Sequence, residues 1–450
     1  MNAFDDDRIL TAWLEAAAPA REPEHLLNAV LTRTARTRRR PAWLFLSRWI
    51  PMDTATARVA PNPRVPLRMI ALVALAVLAL VATALIAGGQ RNTKVPAPFG
   101  PAANGHVVYS AGGQLFVQDT LTSVSRPLDA GANAVGPEFS RDGTRLAWFR
   151  GVGPADAALD TVELWVADAD GRNPRQLGGT GFADPRSYAW SPDGDAIALI
   201  EAAGAGRYRL VMIPTDGSSA APVLPGYTID SVAWRPPDGT QLVVRGRETG
   251  AGGPMVLHLV NRDGSGLTRL DLDPTFASDA NYSSNVDYYF MDPAWSPDGT
   301  RLAFHGLEDV FAEGDPDPGW RVHVATIGPD GTVADEQTFN AEPAIDDEFT
   351  PQWLPDGSGL VVNRLEEGVP SLAIQRLDGA SKPIDLGSPA RATFPATVVS
   401  PDGAEVLAWI GPHDGLGARA WSVNPATGTA SDIAMPVDDW ASWQRLAPGS

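Results

Sequence analysis

One short pattern, repeated six times at intervals of about fifty residues, leaves this chain few folds to choose from. It appears as Phe139-Ser-Arg-Asp-Gly143, Trp190-Ser-Pro-Asp-Gly194, Trp234-Arg-Pro-Pro-Asp-Gly239, Trp295-Ser-Pro-Asp-Gly299, Trp353-Leu-Pro-Asp-Gly357 and Val399-Ser-Pro-Asp-Gly403. The aspartates Asp142, Asp193, Asp238, Asp298, Asp356 and Asp402 lie 51, 45, 60, 58 and 46 residues apart. A period of that length marks a propeller or a solenoid, in which each unit must stack on its neighbours to bury its apolar face. The unit itself is a hairpin. Pro presets φ, Asp tolerates the next position and Gly143, Gly194, Gly239, Gly299, Gly357 or Gly403 closes the turn. An apolar run such as Ala196–Leu199 or Leu302–Phe304 follows each turn. A third strand such as Leu164–Ala167 or Val322–Ala325 comes next, then a second Asp-Gly turn and a fourth strand. Four antiparallel strands per repeat make a propeller blade.

These motifs resemble the TolB-like, WD-repeat-like β-propeller repeat, over about residues 104–446. The departures are Phe139 and Val399 at the Trp position, Arg141 and Leu354 at the Pro and Ser positions, and an extra residue in Arg235-Pro236-Pro237. Gly105–Ser110 and Gln114–Asp119 read as strands with no hairpin before them, and Trp440–Leu446 as a strand with no partner after it. Joined, they complete a seventh blade and remove the sheet edges. The expected fold is all-β, a seven-bladed β-propeller over residues 105–450, with six blades as the runner-up. The many Gly (44) and Pro (40) agree with short strands and turns.

The propeller is preceded by other features. Met69–Ala87 is a 19-residue run whose only polar residue is Thr83, long enough to cross a bilayer as a helix. Residues 67–89 are therefore expected to be a transmembrane helix, residues 90–104 a stiff linker, and residues 1–66 a basic, short α-helical segment. Eleven Arg precede the run and only Arg91 and Lys94 follow closely, so the positive-inside bias places the N-terminus in the cytoplasm and the propeller outside it. The expected setting is a single-pass cell-membrane protein, with residues 1–66 free to meet a cytoplasmic partner. Residues 1–68 carry a net charge of +4, from eleven Arg and seven acids; the rest carries −23, from 24 basic and 47 acidic residues. So acidic a domain repels phosphate backbones, and no nucleic-acid partner is expected. With no cysteine, disulfides, thiolate metal sites and cysteine catalysis are excluded.

Long connections are expected at 151–161, 178–188, 245–254, 271–292, 306–319, 340–350 and 411–418, all opening on one face, the usual binding face of a repeat protein. The richest carry Asp279, Tyr282, Asp287, Tyr288, Tyr289, Phe311, Asp315, Asp317 and Trp320. Aromatics beside carboxylates suit a protein, peptide or glycan partner on the outer side. No cofactor is expected. No metal is assigned, since Asp315 and Asp317 lack the spacing of a known calcium loop. Gly-x-Ser-x-Gly, a phosphate-cradling loop and His-Glu-x-x-His are all absent, and no catalytic residue is assigned. His258, His305 and His323 are read as packed strand residues from neighbouring blades, and the propeller tryptophans as core. The preferred expectation is a non-catalytic binding or scaffold module. A transmembrane regulator of anti-sigma-like layout, lacking the His-x-x-x-Cys-x-x-Cys zinc motif, is the alternative, and a metal-dependent lyase or hydrolase the second.

Overall fold

A computed structural model describes residue 97 and residues 99–447, apart from 121, 153–160, 252–254, 273–289, 309–318, 340–344, 367–368, 388–394, 411–418 and 439. Twenty-eight strands form seven four-stranded antiparallel sheets. Blade 2 contains Ala134–Phe139, Arg145–Gly151, Thr161–Asp168 and Arg175–Ala183, and blade 3 Ser187–Trp190, Ala196–Ala202, Tyr208–Pro214 and Ala221–Val223. Blade 4 contains Tyr227–Trp234, Gln241–Glu248, Val256–Asn261 and Thr268–Arg269, and blade 5 Phe290–Trp295, Arg301–Glu308, Gly319–Ile327 and Val333–Phe339. Blade 6 contains Ile345–Trp353, Gly359–Glu366, Val369–Arg376 and Ser381–Ile384, and blade 7 Ala396–Val399, Val406–Ile410, Arg419–Asn424 and Thr429–Ile433.

Blade 1 is assembled from both ends of the propeller. Its first strand, Ala441–Leu446, pairs with Ala103–Ala111, with Val107 opposite Trp443 and Tyr109 opposite Ala441. Gln114–Gln118 and Ser125–Leu128 complete it. The seven-bladed expectation holds, and the closing strand is the one anticipated at Trp440–Leu446. The expected transmembrane helix at 67–89 and the helical segment at 1–66 lie outside the described residues. Among the described residues no helix is long and apolar enough to cross a membrane.

The core lies between blades. Each of seven buried clusters joins one adjacent pair, such as Val243, Leu257 and Leu259 of blade 4 against Leu302 and Phe304 of blade 5. Both faces of a middle strand are thus covered, which is why Ala196–Ile200 is buried at every position rather than at alternate ones. The repeat tryptophans add a polar stitch. The Trp190 indole donates to Glu138 O of blade 2 (3.1 Å), Trp234 to Ala189 O of blade 3 (3.1 Å) and Trp353 to Ala294 O of blade 5 (2.9 Å). Trp295 breaks the series: its buried indole nitrogen has no acceptor, and its ring lies 4.7 Å from the Arg235 guanidinium of the lengthened blade 4 turn.

The turns are held by their own side chains. Ser140, Ser191, Ser296 and Ser400 donate to the aspartate two residues on, at 2.5–2.7 Å. Gly143 and Gly299 sit at φ +69° and +70°, and a Cβ there would meet Arg445 O at 1.9 Å or Pro236 O at 2.0 Å. Only glycine fits both the dihedral and the approach of the preceding blade. The expected loops are shorter than drawn. Arg175–Ala183, Gln241–Glu248, Arg301–Glu308 and Ile345–Trp353 are strand well into those segments, because register shifts let the ladders continue past irregular residues.

Candidate functional site

The innermost strands of all seven blades line one cavity of about 540 Å³, which therefore lies on the propeller axis. The repeat places its walls. On the turn side, Pro297, Pro355 and Pro401 of three Ser-Pro-Asp-Gly or Leu-Pro-Asp-Gly turns face the cavity, and in blade 2 Arg141 occupies the equivalent place. Arg445, from the closing strand, and Phe99, just before the first blade, line the same end. Tyr188, Gly136 and Trp440 lie along the wall as well. Trp440 is 43% exposed, so it is not a core tryptophan as expected from its place in the repeat.

Glu138, three residues before Arg141, is the acid of this wall. Glu138 lines the cavity, and burial pushes its carboxyl up to about 7 despite the opposing Arg141 charge. Among the described residues it makes no side-chain hydrogen bond. Tyr188 is fixed beside it: the phenol's single O–H is shared between Gly136 O (2.5 Å) and Ala147 O (2.9 Å), and burial followed by the Glu138 charge raises it well above the usual tyrosine range. A carboxyl half-protonated near neutral pH, in a cavity, can both take and give a proton. Glu138 was not anticipated. An acid on a strand reads as solvent-facing until the ring turns that strand toward the axis.

A second set of charges lies beside bulges of three consecutive inner strands. Asp230 meets Arg245 (2.6 Å), Asp292 meets His305 (3.6 Å) and Glu348 meets Arg364 (2.8 Å). Arg364 also donates to Gln375 Oε1 at 3.0 Å. His305 is 1% exposed, and burial, with Arg245 and His323 nearby, lowers it to about 3, so it is neutral. His305 and His323 stand on adjacent strands of blade 5, not on separate blades; only His258 comes from blade 4. All three are buried in strands. Among the described residues no three His, Asp or Glu side chains gather as a metal site requires.

Of the loop residues singled out above, only Trp320 is described. Its backbone N–H donates to Asp347 Oδ1 (2.9 Å), and its ring packs on His305 and Phe349 at 5.3 and 6.2 Å. Asp279, Tyr282, Asp287, Tyr288, Tyr289, Phe311, Asp315 and Asp317 lie outside the described residues.

No protein-family model matches the chain. Among curated proteins it is similar to an "Uncharacterized peptidase YuxL" of Bacillus subtilis (strain 168), 26% identical over 215 residues, covering 42% of this chain and 31% of the relative. The chain thus spans about a third of that relative's length. Among solved structures it is similar to the β-propeller domain of the Trilobed protease from Pyrococcus furiosus (16% identity, TM-score 0.50, 76% of this chain, 98% of that one). It is also similar to the Pseudomonas aeruginosa periplasmic gluconolactonase (15%, 0.52, 76% and 100%). These structures agree with the propeller fold, and the first is described as having an open velcro topology, whereas here the last strand closes the ring on the first blade. The expectation of a non-catalytic scaffold is corrected by this comparison, since the sequence likeness is to a protein named as a peptidase.

Proposed function

We propose that the chain is a hydrolase of acyl bonds, peptide bonds foremost, and that the axial cavity receives the substrate. The carrying observation is Glu138, a carboxyl held at about 7 in a walled cavity with Tyr188 and an exposed Trp440 alongside. In this reading ionised Glu138 takes a proton from water as the water oxygen bonds to the acyl carbon. The C–N bond then breaks, and the proton passes from Glu138 to the leaving amine. The peptidase likeness supports the substrate class.

The test is hydrolysis by the full chain, purified in detergent, of N-acyl dipeptides and their ester counterparts, followed by mass spectrometry. Glu138→Gln is expected to lower the rate by about 100-fold or more. An unchanged rate in that variant, or no hydrolysis by the parent, ends the proposal.

The propeller is further proposed to stand outside the cytoplasm on a helix at Met69–Ala87, supported by the arginine asymmetry. An enzyme reporter that works only outside the cytoplasm should be active when fused after Lys94 and silent when fused before Arg64. The reverse result would invert the topology.

A further inference from the structure

The turn-side end of the cavity departs from the rest of this acidic domain. Where other blades present the ring of Pro297, Pro355 or Pro401, blade 2 presents Arg141. No hydrogen-bond acceptor or ion-pair partner for Arg141 exists among the described residues. Its Nε is buried without a partner, and its guanidinium stands 5.2 Å from the Phe99 ring centre. The adjacent Asp142 is committed to the turn, accepting from Ser140 Oγ (2.6 Å), Thr144 N (3.0 Å) and Thr144 Oγ1 (2.8 Å). The second cation is Arg445. It donates to two backbone carbonyls, Ala97 O (3.0 Å) and Gly100 O (2.6 Å), while its Nε is buried and unpartnered. Burial, and then the Arg141 charge, lowers Arg445 to about 10, so the two cations act on one another. An anion between them would relieve that repulsion and satisfy both forks.

We infer that Arg141 and Arg445 form a carboxylate site that holds the free C-terminal carboxylate of a short peptide. A carboxylate fits better than a phosphate dianion, because Glu138 lies three residues away on the same wall and penalises added negative charge. A peptide seated this way lays its chain toward Glu138 and its apolar side chains toward Tyr188 and Trp440. The inference rests on the peptide-hydrolase reading for its substrate class, but its charge preference stands on the arginines alone.

The experiment measures binding to the full chain carrying Glu138→Gln, with hydrolysis independently confirmed to be lost. The probes are N-acetyl-Phe-Ala with a free carboxylate and the same compound as its C-terminal amide, with inorganic phosphate measured on the parent chain, which keeps Glu138, all read by calorimetry and tryptophan fluorescence. The carboxylate is expected to bind at least about tenfold tighter than the amide, and phosphate only weakly. Arg141→Gln should erase the preference while the melting temperature stays close to that of the parent. That variant keeps the test clear of folding effects, since Arg445 also holds Ala97 and Gly100. Equal binding of acid and amide, no binding of either, phosphate binding as tightly as the peptide, or a preference that survives Arg141→Gln would each overturn the site. Should Glu138→Gln still hydrolyse peptides, the catalytic reading fails instead, and the same binding comparison made with Arg141→Gln against the parent decides the carboxylate site by itself.

Discussion

Blade 2 and blade 6 place an acid and an arginine in related surroundings, and do different things with them. In blade 6, Glu348 and Arg364 are 0% and 1% exposed, are joined at 2.8 Å, and Arg364 is further held by Gln375. In blade 2, Glu138 and Arg141 lie on the same inner segment and face the axis; the structure gives neither an ion pair nor a hydrogen-bonded partner among the described residues. A buried pair joined this closely contributes to a fixed blade, although Glu348 Oε2 has no hydrogen-bond partner among the described residues. Charges left unsatisfied in a cavity strain the fold slightly and are free to bind or to move protons. The contrast separates structure from candidate chemistry more clearly than residue type does, since both regions use the same two side chains.

The comparison breaks first at Arg364. Arg364→Ala leaves Glu348 buried without its cation, and a loss of about 3–5 kcal/mol is expected, seen as a large drop in denaturation midpoint. Arg141→Ala should cost far less than that. If the two variants melted alike, the distinction between a satisfied and an unsatisfied pair would be wrong.

Titration sharpens it. His305 is lowered to about 3 by burial, so its contribution to stability is full above the unfolded value near 6.5 and is lost as pH falls toward 3. His305→Gln should flatten the acid limb of the stability profile, by an amount on the order of 3 kcal/mol or more. Glu138 runs the other way. Its carboxyl is raised from 4.5 to about 7, so the protonated form is favoured in the fold, and stability is lost as pH rises through that window. Glu138→Gln should therefore flatten the profile between 4.5 and 7. Its effect should be smaller than that of His305→Gln, because the shift from 4.5 to about 7 is smaller than that from 6.5 to about 3. Urea melts across pH 3 to 8 for both variants would show whether the two slopes have opposite sign.

The smallest effect concerns the tryptophan stitch. Trp190→Phe removes the bond to Glu138 O, and Trp295→Phe removes an indole that has no acceptor. The first should be more destabilising than the second by about 1 kcal/mol. Equal losses would mean that packing alone, not the inter-blade bond, explains the repeated tryptophan.

Much of the blade was legible before any fold was known because its signals are local. A Ser-x-Asp-Gly turn is specified by side chains within five residues, and Ser140 and Asp142 make those bonds even with arginine between them. Ring closure was legible too, since Ala441–Leu446 lacked neighbours in sequence and Ala103–Ala111 lacked an inner partner. Arg141 was visible only as a departure from the turn pattern that did no harm to the turn. That departure was the available signal: a place where other repeats need only proline's geometry carries a charge instead. Glu138, Tyr188, Trp440 and Arg445 carry no comparable mark.

The sequence by itself determined the strand pairs, the tight turns and a period that must close on itself, because each depends on residues near in the chain or on a repeated pattern of burial. Tertiary structure decided which charges are satisfied. Whether Glu348 meets an arginine or Glu138 meets only the cavity depends on which strand edge faces the axis and which blade stands beside it. Those relations join residues hundreds of positions apart, such as Arg445 and Gly100, and desolvation is set by that assembled surrounding rather than by the residue.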